Sequence, residues 1–179
     1  MAEEKKEPWL NYLALATVIL AVCATLSTFK GGSYSTRSVL SQSQAANQWA
    51  YYQAKSIKGY IYEMQKEMLE NELEQNKEGL PPAVLEKQKA RLQVYTSKIA
   101  KYDAEKAEIQ KDARNFEEIR DDAQMHSQTF GLAVIFLQIA ILLSSIAALL
   151  KKKPVWYLGL ALGVAGVVYF ANGFLLFLQ

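Results

Sequence analysis

Residues 129–153, TFGLAVIFLQIAILLSSIAALLKKK, carry no charge until the three lysines at the end. An α-helix needs about 20 apolar residues to cross the roughly 30 Å hydrocarbon core of a bilayer. The uncharged run is long enough for that, and the lysines mark the point where the chain leaves the lipid. The stretch therefore predicts a membrane-spanning helix.

Two further runs, 9–29 and 154–179, also lack charged residues, whereas most acidic and basic side chains lie between 30 and 120, with small charged clusters near the N-terminus and at 151–153. A soluble core can hide one such run, but three with these boundaries indicate a lipid bilayer. A cleaved signal peptide is the weaker interpretation of the first run, because no A-x-A-type site follows it. The expected segments are an N-terminal tail at 1–8, transmembrane helices at 9–29, 129–150 and 155–178, and a cytoplasmic turn at 151–154.

Lysines near the membrane ends set the expected orientation. The three lysines at 151–153 fill the turn between the second and third spans, so we place that turn in the cytoplasm. The N-terminus then lies in the cytoplasm, and residues 30–128 are periplasmic or extracellular. Lys30 and Arg37 follow the first span on the other side and argue for the reverse orientation.

A heptad pattern follows the first span. Between residues 50 and 68, apolar side chains recur at alternating steps of four and three, which is typical of a coiled-coil seam. The seam expected in this first arm consists of Ala50, Ala54, Ile57, Ile61, Met64 and Met68. A second arm repeats the alternation, and its expected seam includes Leu92, Tyr95, Ile99, Tyr102 and Ile109.

The two arms are separated by residues that end one helix and start another. Gly79 suits a helix C-cap, and the prolines after it suit the first turn of the next helix. We therefore expect an antiparallel coiled-coil hairpin with arms at about 38–77 and 82–128, and a flexible joint at Gly31 and Gly32. The predicted fold class is an all-α membrane protein in which this helical hairpin is inserted between the first and second of three transmembrane helices.

Residues 47–68, NQWAYYQAKSIKGYIYEMQKEM, hold more aromatic rings than one partner helix can cover. If the predicted seam faces the other arm, then Trp49, Tyr52 and Tyr60 form an adjoining stripe. Amphipathic rings suit protein contacts that stay partly wet, so we expect these three to contact neighbouring copies in a homo-oligomer. The alternative is a two-helix coil whose extra tyrosines lie on the surface or near lipid headgroups.

Small and amide side chains inside the spans predict helix–helix packing in the membrane. Gly159, Gly163 and Gly166 in the third span allow close approach of another helix, and Gln138 and Asn172 can hydrogen-bond between helices. The spans contain no ionisable residue of the kind that marks a transport pathway.

Enzyme chemistry has little support, and we expect no catalytic residue and no cofactor. The sequence has no phosphate-binding glycine loop, no H-E-x-x-H motif and no cysteine pair, since Cys23 stands alone. Glu118, Asp122 and His126 share a helix face and are weak metal candidates. A solvated charge run is the favoured interpretation of that face. The net charge of +2, without a basic patch, argues against nucleic acid as a partner.

Three stretches resemble a family of small bacterial membrane proteins catalogued as domain of unknown function 4337. They are QAANQWAYYQAKSIK at 44–58, FGLAVIFLQIAILLSSIAALLKKK at 130–153 and VWYLGLALGVAGVVYF at 155–170. The resemblance implies a three-span protein of the bacterial inner membrane with a central helical segment, and it transfers no activity. Family members often carry a His-rich tail, whereas MAEEKKEP has no histidine.

Three functions are consistent with this organisation. The first is a non-enzymatic coiled-coil scaffold that self-assembles through its hairpin and its transmembrane helices. The second is an accessory or sensory subunit of a larger complex, with an unidentified membrane protein as partner. The third is an oligomeric pore or channel.

Overall fold

The chain folds into three long helices. A computed structural model describes residues 8–76 and 81–177, and its helices are α1 (Pro8–Gln75), α2 (Pro82–Leu150) and α3 (Lys153–Leu175). Each contains an 18-residue window with a mean hydropathy between 1.8 and 2.6. By length and composition the three helices can therefore cross a membrane, as expected of a membrane protein. Gly79, for which a helix cap is predicted, lies outside the described residues.

Local chemistry explains the boundary between α2 and α3. Lys151 adopts a left-handed conformation with φ of 53°, and the Lys152 amide donates to the Ala147 carbonyl at 3.2 Å. This is the hydrogen bond of a Schellman-type helix end. Pro154 stands in the first turn of α3, where its missing N–H leaves no helical hydrogen bond unmade.

The predicted joint at Gly31 and Gly32 is wrong. Helix α1 runs unbroken through both glycines, and no described glycine has a positive φ. A Cβ at Gly31 would lie 3.1 Å from the Phe130 Cβ, and the Gly31 carbonyl accepts a hydrogen bond from the Ser127 hydroxyl at 3.1 Å. Gly31 thus permits close packing of α1 on α2. That contact offsets the roughly 1 kcal/mol helix penalty of glycine.

The described residues divide into two compact units. The first comprises the chain up to Leu40 together with the part from Ile119 onward, and here all three helices pack together. Its core is made of small and branched side chains, namely Leu20, Ala24, Ala133, Leu137 and Ala140. A second cluster joins Trp9, Leu13 and Ala147, with the Trp9 and Trp156 ring centroids 5.8 Å apart.

The second unit, Ser41–Glu118, contains parts of α1 and α2 packed side by side. Trp49 meets Glu117, Lys55 meets Glu105, and Tyr62 meets Tyr95. Partner numbers fall along α2 as they rise along α1, so the two segments are antiparallel. Small residues are buried in this second unit, including Ala45, Gly59 and Ala113.

Candidate interaction surfaces

The face of α1 that meets α2 is not the predicted one. The six residues expected in the seam are all exposed, with Ile57 at 59% and Met68 at 61%. The residues that face α2 instead are Ala45, Trp49, Tyr52, Gly59, Tyr62 and Leu69. Ala50, Ala54, Ile57, Ile61, Met64 and Met68 therefore form an unpartnered surface in the single chain, which we name the outer stripe.

Aromatic rings explain why this other face is chosen. A tryptophan or tyrosine buries about 150–250 Å², more than an alanine or isoleucine does. The Trp49 indole also donates from Nε1 to the Glu117 carboxylate at 2.9 Å, and its ring contacts Tyr52 edge-on at 5.6 Å. Turning the outer stripe toward α2 would expose these rings and break that hydrogen bond.

These contacts correct the expectation that Trp49 and Tyr52 bind neighbouring copies. Both rings are half-buried in the packing of their own chain. Tyr60, the third expected contact, is 63% exposed, and its ring lies 5.9 Å from the Lys106 ammonium. Only Tyr60 of the three leaves most of its ring free beside the outer stripe.

The α2 side of the seam lies where the heptad pattern places it. Ile109 is buried, and four residues about two to five turns before it are half-buried on the same face, namely Leu92, Tyr95, Ile99 and Tyr102. Tyr62 of α1 lies between two of them, 5.9 Å from the Tyr95 ring and 5.8 Å from the Tyr102 ring. On α2 the aromatic residues Tyr95 and Tyr102 belong to the heptad seam itself, so the predicted face is the one that packs against α1.

An ion pair crosses from α1 to α2. Lys55 Nζ lies 2.6 Å from Glu105 Oε2. The hydrogen bond to Glu105, with a second one to the Tyr51 hydroxyl, raises the pKa of Lys55 above 10.5. The same bond from Lys55 lowers the pKa of Glu105 below 4.5. Both groups stay charged at neutral pH, so the pair holds the register of the two segments and has neither a free base nor a free acid to offer.

In the first unit, the predicted glycines of α3 lie at close helix contacts. Gly159, Gly163 and Gly166 are buried. A Cβ at Gly166 would come within 2.7 Å of the Leu137 side chain, and one at Gly163 within 3.1 Å of Leu20. Gly173, further along the same helix, would meet the Phe130 ring at 2.6 Å. Helix α3 thus packs against α1 and α2 through its glycines.

The two amides predicted to pack helices, Asn172 and Gln138, have opposite surroundings. Asn172 is 1% exposed, and its backbone carbonyl accepts the Leu176 amide at 2.8 Å in the last turn of α3. Gln138 lies on the outer surface of the unit. The expectation that Gln138 hydrogen-bonds between helices therefore fails within one chain, because its side chain points away from α1 and α3.

The family comparison extends over all three helices. The family described as domain of unknown function 4337 matches residues 9–176. The chain belongs to this family. Comparison with curated proteins and with solved structures finds no match.

Membership in the family of domain of unknown function 4337 names no reaction. Within the described residues, no three His, Cys, Asp or Glu side chains lie close enough to hold a metal ion. The weak metal candidates Glu118, Asp122 and His126 accordingly form no site in the single chain. The His126 Nε2 is 3.8 Å from Asp122, and its Nδ1 is engaged elsewhere.

His126 instead packs α2 against the end of α3, a role that sequence reasoning missed. Its Nδ1 donates to the Gly173 carbonyl at 2.7 Å, and its ring stacks on Tyr34 at 4.4 Å. Helix ends leave carbonyls without helical partners, and a side-chain donor satisfies one of them here. No local pattern links residue 126 to residue 173, so only the packed structure reveals this contact.

Proposed function

We propose that the chain is a non-enzymatic, membrane-anchored helical scaffold that assembles with copies of itself. In this proposal three helices cross the bacterial inner membrane, and residues 30–128 form a helical hairpin on its periplasmic or extracellular side. The scaffold uses no cofactor and binds no nucleic acid. Its working parts are surfaces that hold copies of the chain together.

The outer stripe is the observation that carries this proposal. Its members repeat at steps of four and three along α1, and the larger ones are between 43% and 61% exposed. Coiled coils bury apolar residues with this spacing against another helix. Exposed apolar surfaces of this kind on a soluble segment mark sites of association. Because α2 packs against the opposite face of α1, the partner helix for the outer stripe comes from a second molecule.

A second copy is the occupant that we propose. The seam spacing favours a partner helix with the same repeat, and a second copy supplies the same stripe. Tyr60 lies at the edge of the stripe with its polar tip available, as is common at the rim of protein interfaces.

The outer stripe can be tested with the Ile57→Glu, Ile61→Glu double variant. We expect it to assemble more weakly than the wild-type chain and to keep its helix content, because both side chains are exposed in the single chain. Light scattering with size exclusion in detergent gives the mass, and circular dichroism gives the helix content. Val94→Glu, at an α2 valine that is 51% exposed, is the matched control and should assemble normally. A monomeric wild-type chain would contradict the proposal.

A photo-crosslinker at Met64 separates the scaffold from an accessory subunit. Self-crosslinks alone support the scaffold. Crosslinks to one constant second protein, with none between copies, would overturn it in favour of a subunit of a larger complex.

The proposed orientation predicts which cysteines an impermeant thiol reagent reaches. In a Cys23→Ser background, Asn76→Cys should be labelled in intact spheroplasts, since Asn76 is exposed and follows α1. Lys152→Cys, exposed between α2 and α3, is the control and should react only after lysis. The reverse pattern would place the hairpin in the cytoplasm.

A further inference from the structure

Gln138 is a polar side chain on a surface that is otherwise suited to lipid. It lies in the uncharged run 129–150 and is exposed on α2, and its side chain makes no hydrogen bond to any described residue. Asn172, the amide on α3, is buried. The fold of the single chain therefore buries the Asn172 amide and leaves the Gln138 amide facing outward.

The depth of Gln138 makes this exposure costly in a bilayer. At 1.5 Å per residue, Gln138 lies roughly 13 Å along the helix from Thr129. Half of the hydrocarbon core is about 15 Å, so the amide lies near the midplane. No water is available there, and an unsatisfied amide in hydrocarbon costs several kcal/mol. A glutamine side chain is also too short to reach the headgroups from this depth.

The residues around Gln138 form a helix-pairing face. One face of α2 carries Gly131, Ile135, Gln138, Leu142, Ser145 and Leu149, spaced alternately by four and three residues. All six are exposed, with Leu142 at 58% and Leu149 at 83%. This spacing is that of helices packed at a shallow crossing angle.

Other polar side chains at this surface already have partners. The Ser145 hydroxyl donates to the Ile141 carbonyl at 2.9 Å, and the Thr129 hydroxyl donates to Met125 at 2.9 Å. A Cβ at Gly131 would meet nothing within 4 Å, so this end of the face is open to another helix. Gln138 is thus the group on this face that needs an external hydrogen-bond partner.

We propose that the α2 face centred on Gln138 pairs with the same face of a second copy, and that the two Gln138 amides hydrogen-bond to each other at the bilayer midplane. A carboxamide offers both a donor and an acceptor, so two symmetry-related copies satisfy one another. Interhelical amide bonds of this kind stabilise helix association in membranes. The proposal rests on the membrane insertion proposed above and adds a second contact, separate from the outer stripe.

Cysteine crosslinking tests the geometry in the membrane. In a Cys23→Ser background, Gln138→Cys should form a disulfide-linked dimer under a membrane-permeant oxidant, because symmetric pairing places the two positions opposite each other. Val164→Cys, at an α3 residue that is 64% exposed, is the control and should stay monomeric. Absence of the Gln138→Cys dimer, or equal crosslinking at both positions, would overturn the proposal.

The contribution of the Gln138 amide to the association of copies is measured with the full-length chain in lipid vesicles. Energy transfer between labelled copies should show a dissociation constant about threefold to thirtyfold higher for Gln138→Leu, since leucine suits lipid but removes the amide. Gln138→Asn retains an amide and should recover most of the affinity. Equal affinity of Gln138→Leu and wild type would contradict the role of the amide.

The two proposed contacts can fail separately. If the Ile57→Glu, Ile61→Glu variant associates with the same dissociation constant as the wild-type chain and still forms the Gln138→Cys dimer, the span contact holds and the outer stripe does not. If the outer-stripe variant dissociates and Gln138→Cys never crosslinks in an otherwise wild-type chain, the outer stripe holds and the span contact is rejected.

Discussion

The Trp49→Ala, Tyr52→Ala double variant is expected to lose the packing between α1 and α2 in residues 41–118. Each truncation removes a half-buried ring at a cost of about 2 kcal/mol, and the first also leaves Glu117 without its indole donor. Together they amount to about 4 kcal/mol, a large part of the stability of a small unit. Hydrogen exchange followed by mass spectrometry should show loss of protection in both segments, while the spans stay protected.

The matched control for these rings is Ile57→Ala with Ile61→Ala. These side chains lie on the outer stripe, so in the single chain their truncation should change stability by no more than about 0.5 kcal/mol each. The experiment is performed on monomer at high dilution in detergent, so that assembly does not contribute. If the isoleucine variant loses protection and the ring variant does not, the outer stripe is the true internal seam.

Gly173→Leu with Gly166→Leu should disrupt the packing of α3 against α2. Even a Cβ would lie 2.6 Å from the Phe130 ring at Gly173 and 2.7 Å from Leu137 at Gly166, closer than van der Waals contact allows. Overpacking of this kind costs about 1–3 kcal/mol at each site. We expect a lower unfolding midpoint in detergent with membrane insertion unchanged, because leucine itself suits lipid.

Gly32→Leu is the control for the glycine variants. A Cβ there meets nothing within 4 Å, so the substitution introduces no clash at that atom. Gly159→Leu and Gly163→Leu, with nearest contacts of 3.2 and 3.1 Å, should have smaller effects than the Gly166 and Gly173 variants. Equal stability of the Gly173→Leu, Gly166→Leu variant and wild type would show that α3 does not pack as described.

Features encoded locally could be predicted from the sequence. The three uncharged runs predicted the apolar windows of α1, α2 and α3. The length of an apolar run by itself decides whether a helix is long enough to cross the hydrocarbon core of a bilayer. The three lysines predicted the break between α2 and α3, since a charged turn acts within a few residues of the chain. The heptad pattern of the second arm marked the face that meets α1.

The register of α1 was decided only by the tertiary structure. This helix carries two heptad phases, one of isoleucine and methionine and one of aromatic rings with Gly59, and each alone is a reasonable seam. The choice depends on what α2 presents: the Glu117 carboxylate for the Trp49 indole, and the tyrosines that flank Tyr62. Such complementarity is a property of two segments together, so periodicity in one of them selects the wrong face.

Asn172 and Gln138 also differ for a reason that only the tertiary structure shows. In the sequence both are amides within uncharged runs, whereas in the structure Asn172 is buried and Gln138 is exposed. Sequence determined that this chain has three helices fit for a bilayer and a central pair of heptad segments, because apolar length and period are properties of a single segment. Tertiary structure alone decided which faces are packed within the chain and which remain exposed. Burial depends on the position of the neighbouring helices, and a helix cannot specify that position by itself.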